Sequence, residues 1–121
     1  MDKIGLFSKN IDDEFEIINN NLVVILNEDL DHHNAEIIRE KIDRLIELER
    51  IKNIIFDFSK VTFMDSSGIG VIMGRYRKVY YNKGKIIVVG LSRIIDKIFS
   101  MSGLYNIVTK YMTLNEALNI K

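Results

Sequence analysis

The stretch of this chain richest in possible chemistry is Asp65-Ser66-Ser67-Gly68. It stands between an extended piece, residues 61–64, and an amphipathic run. Ser and Asp are favoured helix N-caps because their side chains satisfy the free amides of the first turn. One helix needs one cap, so two serines leave one hydroxyl spare and facing solvent. A hydroxyl at a helix N-terminus lies at the positive end of the helix dipole, a place that tolerates a phosphate. Gly68, Gly70 and Gly74 follow at G-x-G-x-x-x-G spacing. That is one residue off the dinucleotide fingerprint, and no Gly-Lys-Ser/Thr follows, so it is weak evidence for a nucleotide. Each glycine inside a helix costs about 1 kcal/mol relative to alanine. Two reasons for accepting that cost stay open: close packing of the helix on a sheet, or close approach of another molecule to its backbone.

The remaining candidates for chemistry are thinner. The two histidines, His32 and His33, are adjacent and point in different directions, so they do not chelate. Asp29 and Asp31 lie nearby, but the group has no recognised ligand spacing. No metal site is read there, and Asp31 is expected to cap the helix that follows. Ser66 or Ser67 with a histidine and an aspartate could be written as a hydrolase triad. The chain lacks G-x-S-x-G, and an aspartate beside the serine cannot orient a histidine more than thirty residues away. There are no cysteines, which removes disulfides, thiolate zinc sites and cysteine nucleophiles. No catalytic residue is assigned, and the chain reads as something other than an enzyme.

The 121 residues, 47% hydrophobic and 28% charged, are the length and composition of one globular domain spanning residues 1–121. Residues from 1 to about 13 read as a loosely held N-terminal extension. Seventeen Lys+Arg balance seventeen Asp+Glu, which argues against a nucleic-acid binder, since such proteins carry a basic excess. No run approaches the roughly 18 apolar residues of a membrane span. Acidic residues stand near the N-terminus where a secretory signal would be apolar, so no targeting peptide is read and the expected location is the cytoplasm.

The elements that must hold Ser66 follow from periodicity. Residues 15–18 and the β-branched run 22–26 predict a hairpin across Asn19-Asn20-Asn21, since asparagine tolerates positive φ. Ala35, Ile38, Ile42, Leu45 and Leu48 recur at helical spacing up to about residue 50. Residues 53–58 are a strand. A second helix runs from about Ser67 to Tyr81, closed by a left-handed Gly84. Residues 85–89 are a buried strand, and Ser92 caps a third helix that ends before Gly103. Residues 106–109 are a last strand candidate. Thr113-x-x-Glu116 has capping-box spacing for a terminal helix over 114–120. Strands alternating with helices after a hairpin make an α/β layer structure with a mostly parallel sheet.

Residues 61–76, Val-Thr-Phe-Met-Asp-Ser-Ser-Gly-Ile-Gly-Val-Ile-Met-Gly-Arg-Tyr, closely resemble the signature of the STAS domain of bacterial anti-sigma factor antagonists, most of all the sporulation type. Leu30-Asp31-His32-His33-Asn34-Ala35-Glu36 is similar to a second family segment, and Phe99-Ser100-Met101-Ser102-Gly103-Leu104 to a third. Together they span about residues 15–120 in one order. The resemblance implies the STAS fold, a mixed, mostly parallel sheet of four to five strands with four helices. It implies a phosphoprotein that regulates transcription by partner switching. The unphosphorylated antagonist binds an anti-sigma factor that is itself a serine kinase of the histidine-kinase-like ATPase fold, and the sigma factor is released. The kinase phosphorylates the serine directly after the aspartate, here Ser66, and a PP2C-type phosphatase restores it. Ser67 then takes the capping role. The implied partner surface comprises Asp31, Asp65, Ser66, Ser67, Gly68 and Gly70. No cofactor, nucleic acid or membrane is implied, and the free protein is expected to be a monomer. One departure stands out: Glu28-Asp29-Leu30-Asp31 replaces the usual Gly-Glu-Leu-Asp, so the turn must differ or be strained. A STAS module of another stress-signalling or sigma-factor pathway is the first alternative. A nucleotide-binding protein using Ser66 and the glycines is the second, and it lacks a phosphate-gripping lysine at the right spacing.

Overall fold

Two asparagines at positive φ, Asn19 at 50° and Asn20 at 68°, make the first turn. The computed structural model describes residues 13–119, so all but the last residue of the expected N-terminal extension lies outside the described residues, as does Ile120. The asparagine turn joins β1 (Glu14–Ile18) to β2 (Asn21–Ile25) as an antiparallel hairpin, with Phe15 opposite Val24 and Ile17 opposite Leu22. After it come α1 (Ala35–Leu48), β3 (Asn53–Asp57), α2 (Ser66–Tyr80), β4 (Ile86–Val89), α3 (Arg93–Ser102), a 3-10 turn (Leu104–Asn106), β5 (Val108–Tyr111) and α4 (Leu114–Leu118).

The five strands lie in the order β1-β2-β3-β4-β5, with β2 to β5 mutually parallel. Each crossover steps to the next position in one direction. Right-handed crossovers of that kind carry their helices onto one face of the sheet. The core reflects this. Leu22, Val24, Ile54, Phe56, Ile86 and Val88 pack with Ile38 and Ile42 of α1, Ile72 of α2 and Phe99 of α3. The alternate residues Val23, Ile55, Ile87 and Val89 form a second, smaller cluster with Ala117 of α4. A sheet covered on both faces is why these strands read as unbroken apolar runs.

The helix ends mostly follow the expected chemistry. The Ser92 side chain accepts from the Ile95 amide at 3.2 Å, and Gly103 ends α3 at φ 83°. Thr113 Oγ1 accepts from the Glu116 amide at 3.1 Å, and Glu116 Oε1 accepts from the Met112 amide at 2.8 Å. Two expectations need correction. The left-handed residue after α2 is Lys83, at φ 61°, and not Gly84. Gly84 is needed for another reason: a Cβ there would collide with the Lys52 carbonyl oxygen. The last strand begins two residues later than expected, because residues 104–106 tighten into the 3-10 turn before β5 pairs with β4.

Candidate functional site

Two loops leave the carboxyl ends of neighbouring parallel strands: the one from β2 to α1 and the one from β3 to α2. They are joined into one platform. Leu30 and Met64 form an isolated parallel bridge. The Asp29 carboxylate accepts from the Thr62 amide at 2.8 Å, the Phe63 amide at 3.1 Å and the Thr62 hydroxyl at 3.0 Å. The His32 amide donates to Asp65 Oδ2 at 3.1 Å. Glu28 sits in ordinary backbone, since the non-glycine residues at positive φ among those described are Asn19, Asn20 and Lys83. The departure from a glycine turn therefore introduces no left-handed strain.

Asp65 caps α2. Its backbone is extended, and its Oδ1 accepts from the Ser67 amide at 2.8 Å. This corrects the capping role expected for Ser67. The helix starts one residue earlier, at Ser66, and the carboxylate has two oxygens with which to serve both the helix and the neighbouring loop. Neither serine hydroxyl is engaged in a hydrogen bond among the described residues. Ser66 is exposed, and Ser67 is half-buried toward α1. Partial burial raises the Asp65 pKa, but amide bonds from His32, Ser67 and Gly68 outweigh it and hold the carboxyl below the usual Asp value. Asp29 behaves in the same way: desolvation pushes it up, and the Thr62 and Phe63 donors bring it lower.

Asp31 is half-exposed and serves the turn before α1. Its carboxylate accepts from the His33 amide at 2.9 Å and the Asn34 amide at 3.3 Å, while Asn34 Oδ1 accepts from the Asp31 amide at 3.2 Å. This reciprocal pair has the logic of a capping box, one turn ahead of the regular helix. Buried Asn34 also donates to the Asp29 carbonyl at 2.5 Å. His32 and His33 are exposed, and among the described residues no group of three or more His, Asp or Glu could hold a metal ion.

The glycines divide. A Cβ on Gly68 would lie 2.5 Å from the Leu30 carbonyl oxygen and would also strike Met64 Cγ, so this glycine lets α2 pack on the Leu30–Met64 bridge. Gly70 and Gly74 have nothing within 4 Å of such an atom. Packing accounts for the first glycine and not for the other two.

Beside Ser67 and Gly70 runs an open groove between α1 and α2, of about 260 Å³, lined also by His32, Glu36, Arg39 and Arg75. Arg75 is 5% exposed, its Nε lies 2.9 Å from Asp43 Oδ1, and Asp43 Oδ2 lies 3.5 Å from Arg39 Nη1. Burial pulls the Arg75 pKa down, and the Asp43 charge opposes that. Phe63, 50% exposed, stands on the platform three residues before Ser66.

Sequence reasoning missed three contributions. Asp29 entered it only as a rejected metal ligand and as a departure from a motif, yet it tethers the second loop. Asp31 was expected as a cap, but its reciprocal partner Asn34, at a legible Asp-x-x-Asn spacing, was not. The Asp43–Arg75 pair spans two helices 32 positions apart and leaves no local trace.

Residues 14–117 match the STAS domain family model. The chain is 38% identical over 92 residues to an anti-sigma F factor antagonist of Lysinibacillus sphaericus, covering 75% of this chain and 79% of that one. It is 34% identical over 90 residues to the anti-sigma F factor antagonist of Paenibacillus polymyxa, covering 74% and 77%. Among solved structures it resembles the anti-sigma factor antagonist SpoIIAA in its unphosphorylated form, at TM-score 0.80 and 34% identity over 89% of this chain and 94% of that one. The phosphorylated form of SpoIIAA from Bacillus gives TM-score 0.72 at 34% identity, covering 89% and 97%. Among the described residues no helix is long and apolar enough to cross a membrane. With a five-stranded mixed sheet and four helices among the described residues, and a family match over residues 14–117, the chain belongs to the STAS domain family.

Proposed function

We propose that this STAS domain is an anti-sigma factor antagonist switched by phosphate on Ser66. The observation that carries the reading is the unspent hydroxyl of Ser66, exposed as the first residue of α2 beside a cap that Asp65 already supplies. The fold does not need that oxygen, so chemistry on it leaves the fold intact. Relatives named anti-sigma F factor antagonists, and SpoIIAA in both unphosphorylated and phosphorylated forms, support the same reading.

The unphosphorylated protein binds an anti-sigma factor serine kinase through the platform of Asp31, Asp65, Ser66, Ser67 and Gly70, with Gly68 seating α2 beneath it. The sigma factor is thereby released. The kinase moves a phosphoryl group from ATP to Ser66 Oγ, and a PP2C-type phosphatase removes it by hydrolysis. The protein acts by binding, in the cytoplasm, and is monomeric when free. Phosphate adds about 1.5 to 2 negative charges near pH 7. At a helix N-terminus that charge is favourable by about 0.3–1 kcal/mol, so α2 does not melt. A partner docked on a neutral hydroxyl must now meet this charge beside those of Asp65 and Asp31. A penalty of about 2.7 kcal/mol already weakens binding a hundredfold.

The test is incubation with the anti-sigma kinase and ATP, followed by phosphopeptide mapping. Phosphate on Ser66 is expected. Ser67 as the sole modified residue would overturn the acceptor assignment. Failure to bind any of a panel of anti-sigma kinases would overturn the function.

A further inference from the structure

The Ser66 platform stands at the carboxyl ends of the parallel strands. At their opposite ends, on the face of the sheet that carries α4, a cavity of about 330 Å³ opens where β2, β3 and β4 begin. Three lysines line it: Lys52, Lys83 and Lys85. Among the described residues no acidic one does. None of the three ammonium groups has an ion-pair partner among the described residues. Three basic residues thus line one concavity, with no acidic residue among its described lining. Clefts lined by a single sign of charge against low-dielectric walls focus the field and concentrate counter-ions.

The walls between the lysines are organised. Asn53 Nδ2 donates to Asn21 Oδ1 at 3.0 Å, and the Lys85 amide donates to Asn53 Oδ1 at 2.9 Å, which ties the starts of β2, β3 and β4 together. Ile87 and Ala117 supply an apolar floor. The volume falls at the small end of the range for small-molecule sites, roughly 300–1,000 Å³. It is too small for a helix or a folded partner.

We propose that this cavity binds a small polyanion, a molecule carrying two or more phosphate or carboxylate groups, held by Lys52, Lys83 and Lys85. The site shares no residue with the Ser66 platform, so it stands or falls independently of the function proposed for that edge.

Amide NMR shifts of the full-length unphosphorylated protein, followed during titration with inorganic pyrophosphate and separately with citrate, provide the test. Each titration is referred to sodium chloride at equal ionic strength, because diffuse surface attraction is screened by any salt. Saturating shifts centred on Lys52, Lys85 and Thr109 are expected. Saturation by both probes, or by either alone, supports the site and says whether phosphate or carboxylate is preferred. Lys52→Gln and Lys85→Gln, at exposed positions, should each weaken binding severalfold and together at least tenfold. Lys78→Gln, on exposed α2 surface away from the cavity, should leave it unchanged. The proposal is overturned by shifts that sodium chloride reproduces, by the absence of saturation up to about 10 mM of both probes, or by an unchanged affinity in the double variant.

Discussion

Replacing Gly68 and Gly70 separately with alanine should move stability in opposite directions, although both sit in the first turn and a half of α2. Alanine in place of glycine inside a helix gains about 1 kcal/mol from propensity alone. At Gly70 nothing opposes the gain, because no atom beyond the adjoining backbone of its own helix lies within 4 Å of the new methyl. At Gly68 the methyl would come within 2.5 Å of the Leu30 carbonyl oxygen, almost an ångström inside ordinary van der Waals contact. That oxygen belongs to backbone pinned by the Leu30–Met64 bridge, and it cannot swing aside as a side-chain tip would. Overpacking of this kind costs about 1–3 kcal/mol, and a rigid backbone obstacle puts it at the upper end. Gly68→Ala should therefore lose about 2 kcal/mol net, and the two variants should differ by about 3 kcal/mol. Urea unfolding followed by circular dichroism reads this directly. With the slope unchanged, the midpoints should separate by roughly 1.5 to 2 M. A Gly68→Ala protein as stable as the parent would refute the packing argument. A binding assay completes the experiment: weaker anti-sigma kinase binding by the stabilised Gly70→Ala protein would mark Gly70 as a point of close partner approach.

Three further expectations concern charge. Ser66→Ala should fold as the parent does and stay bound to the anti-sigma kinase, while Ser66→Asp should bind at least a hundredfold more weakly. Amide shift changes on phosphorylation that spread from residues 64–70 to β4 would refute a local switch. Asp29→Ala removes the acceptor of three hydrogen bonds and should cost about 1–3 kcal/mol. Because the folded-state pKa values of Asp29 and Asp65 lie below 3.8, their stabilisation is present above that pH and is lost as pH falls through the lower folded values. Acid unfolding of Asp29→Asn should accordingly depend less steeply on pH below about 4. Arg75→Ala leaves Asp43 without its buried partner and should cost about 3 kcal/mol. The double variant with Asp43→Ala should recover part of that in a thermal melt, and strict additivity would show that the pair is not coupled.

Much of this architecture was legible because the relevant signals are local. The Asn19-Asn20 turn, the unbroken apolar strands and the caps at Ser92, Thr113 and Gly103 each depend on a few adjacent residues, and the structure bears each of them out. Ser66 stood out for the same reason. The choice between Asp65 and Ser67 as cap was not legible, since both types cap well and a one-residue shift of the helix start decides it. Lys83 at positive φ was hidden because glycine is the usual occupant of that position, and Gly84 was committed elsewhere, against Lys52. The tethers from Asp29 to Thr62 and from His32 to Asp65 each join residues 33 positions apart, and Arg75 meets Asp43 across two helices. Such contacts exist only once the strands have paired, so composition and period carry no sign of them.

The order of strands across the sheet is also their order of synthesis. No strand has to be threaded between two that are already paired; each new βα unit docks on an edge left open by the one before. The hairpin of β1 and β2 offers the first such edge, and β3 closes on it after a single helix. Once the chain has been made as far as Met64, the Asp29 tether and the Leu30–Met64 bridge have all their parts, with β4 and β5 still to come. Assembly by such short steps keeps chain-closure entropy low at every stage, a condition that favours rapid folding and limits the time an unpaired strand is exposed to other chains. The surface that carries Ser66 is thus among the first parts of the molecule able to take its final shape as the chain leaves the ribosome.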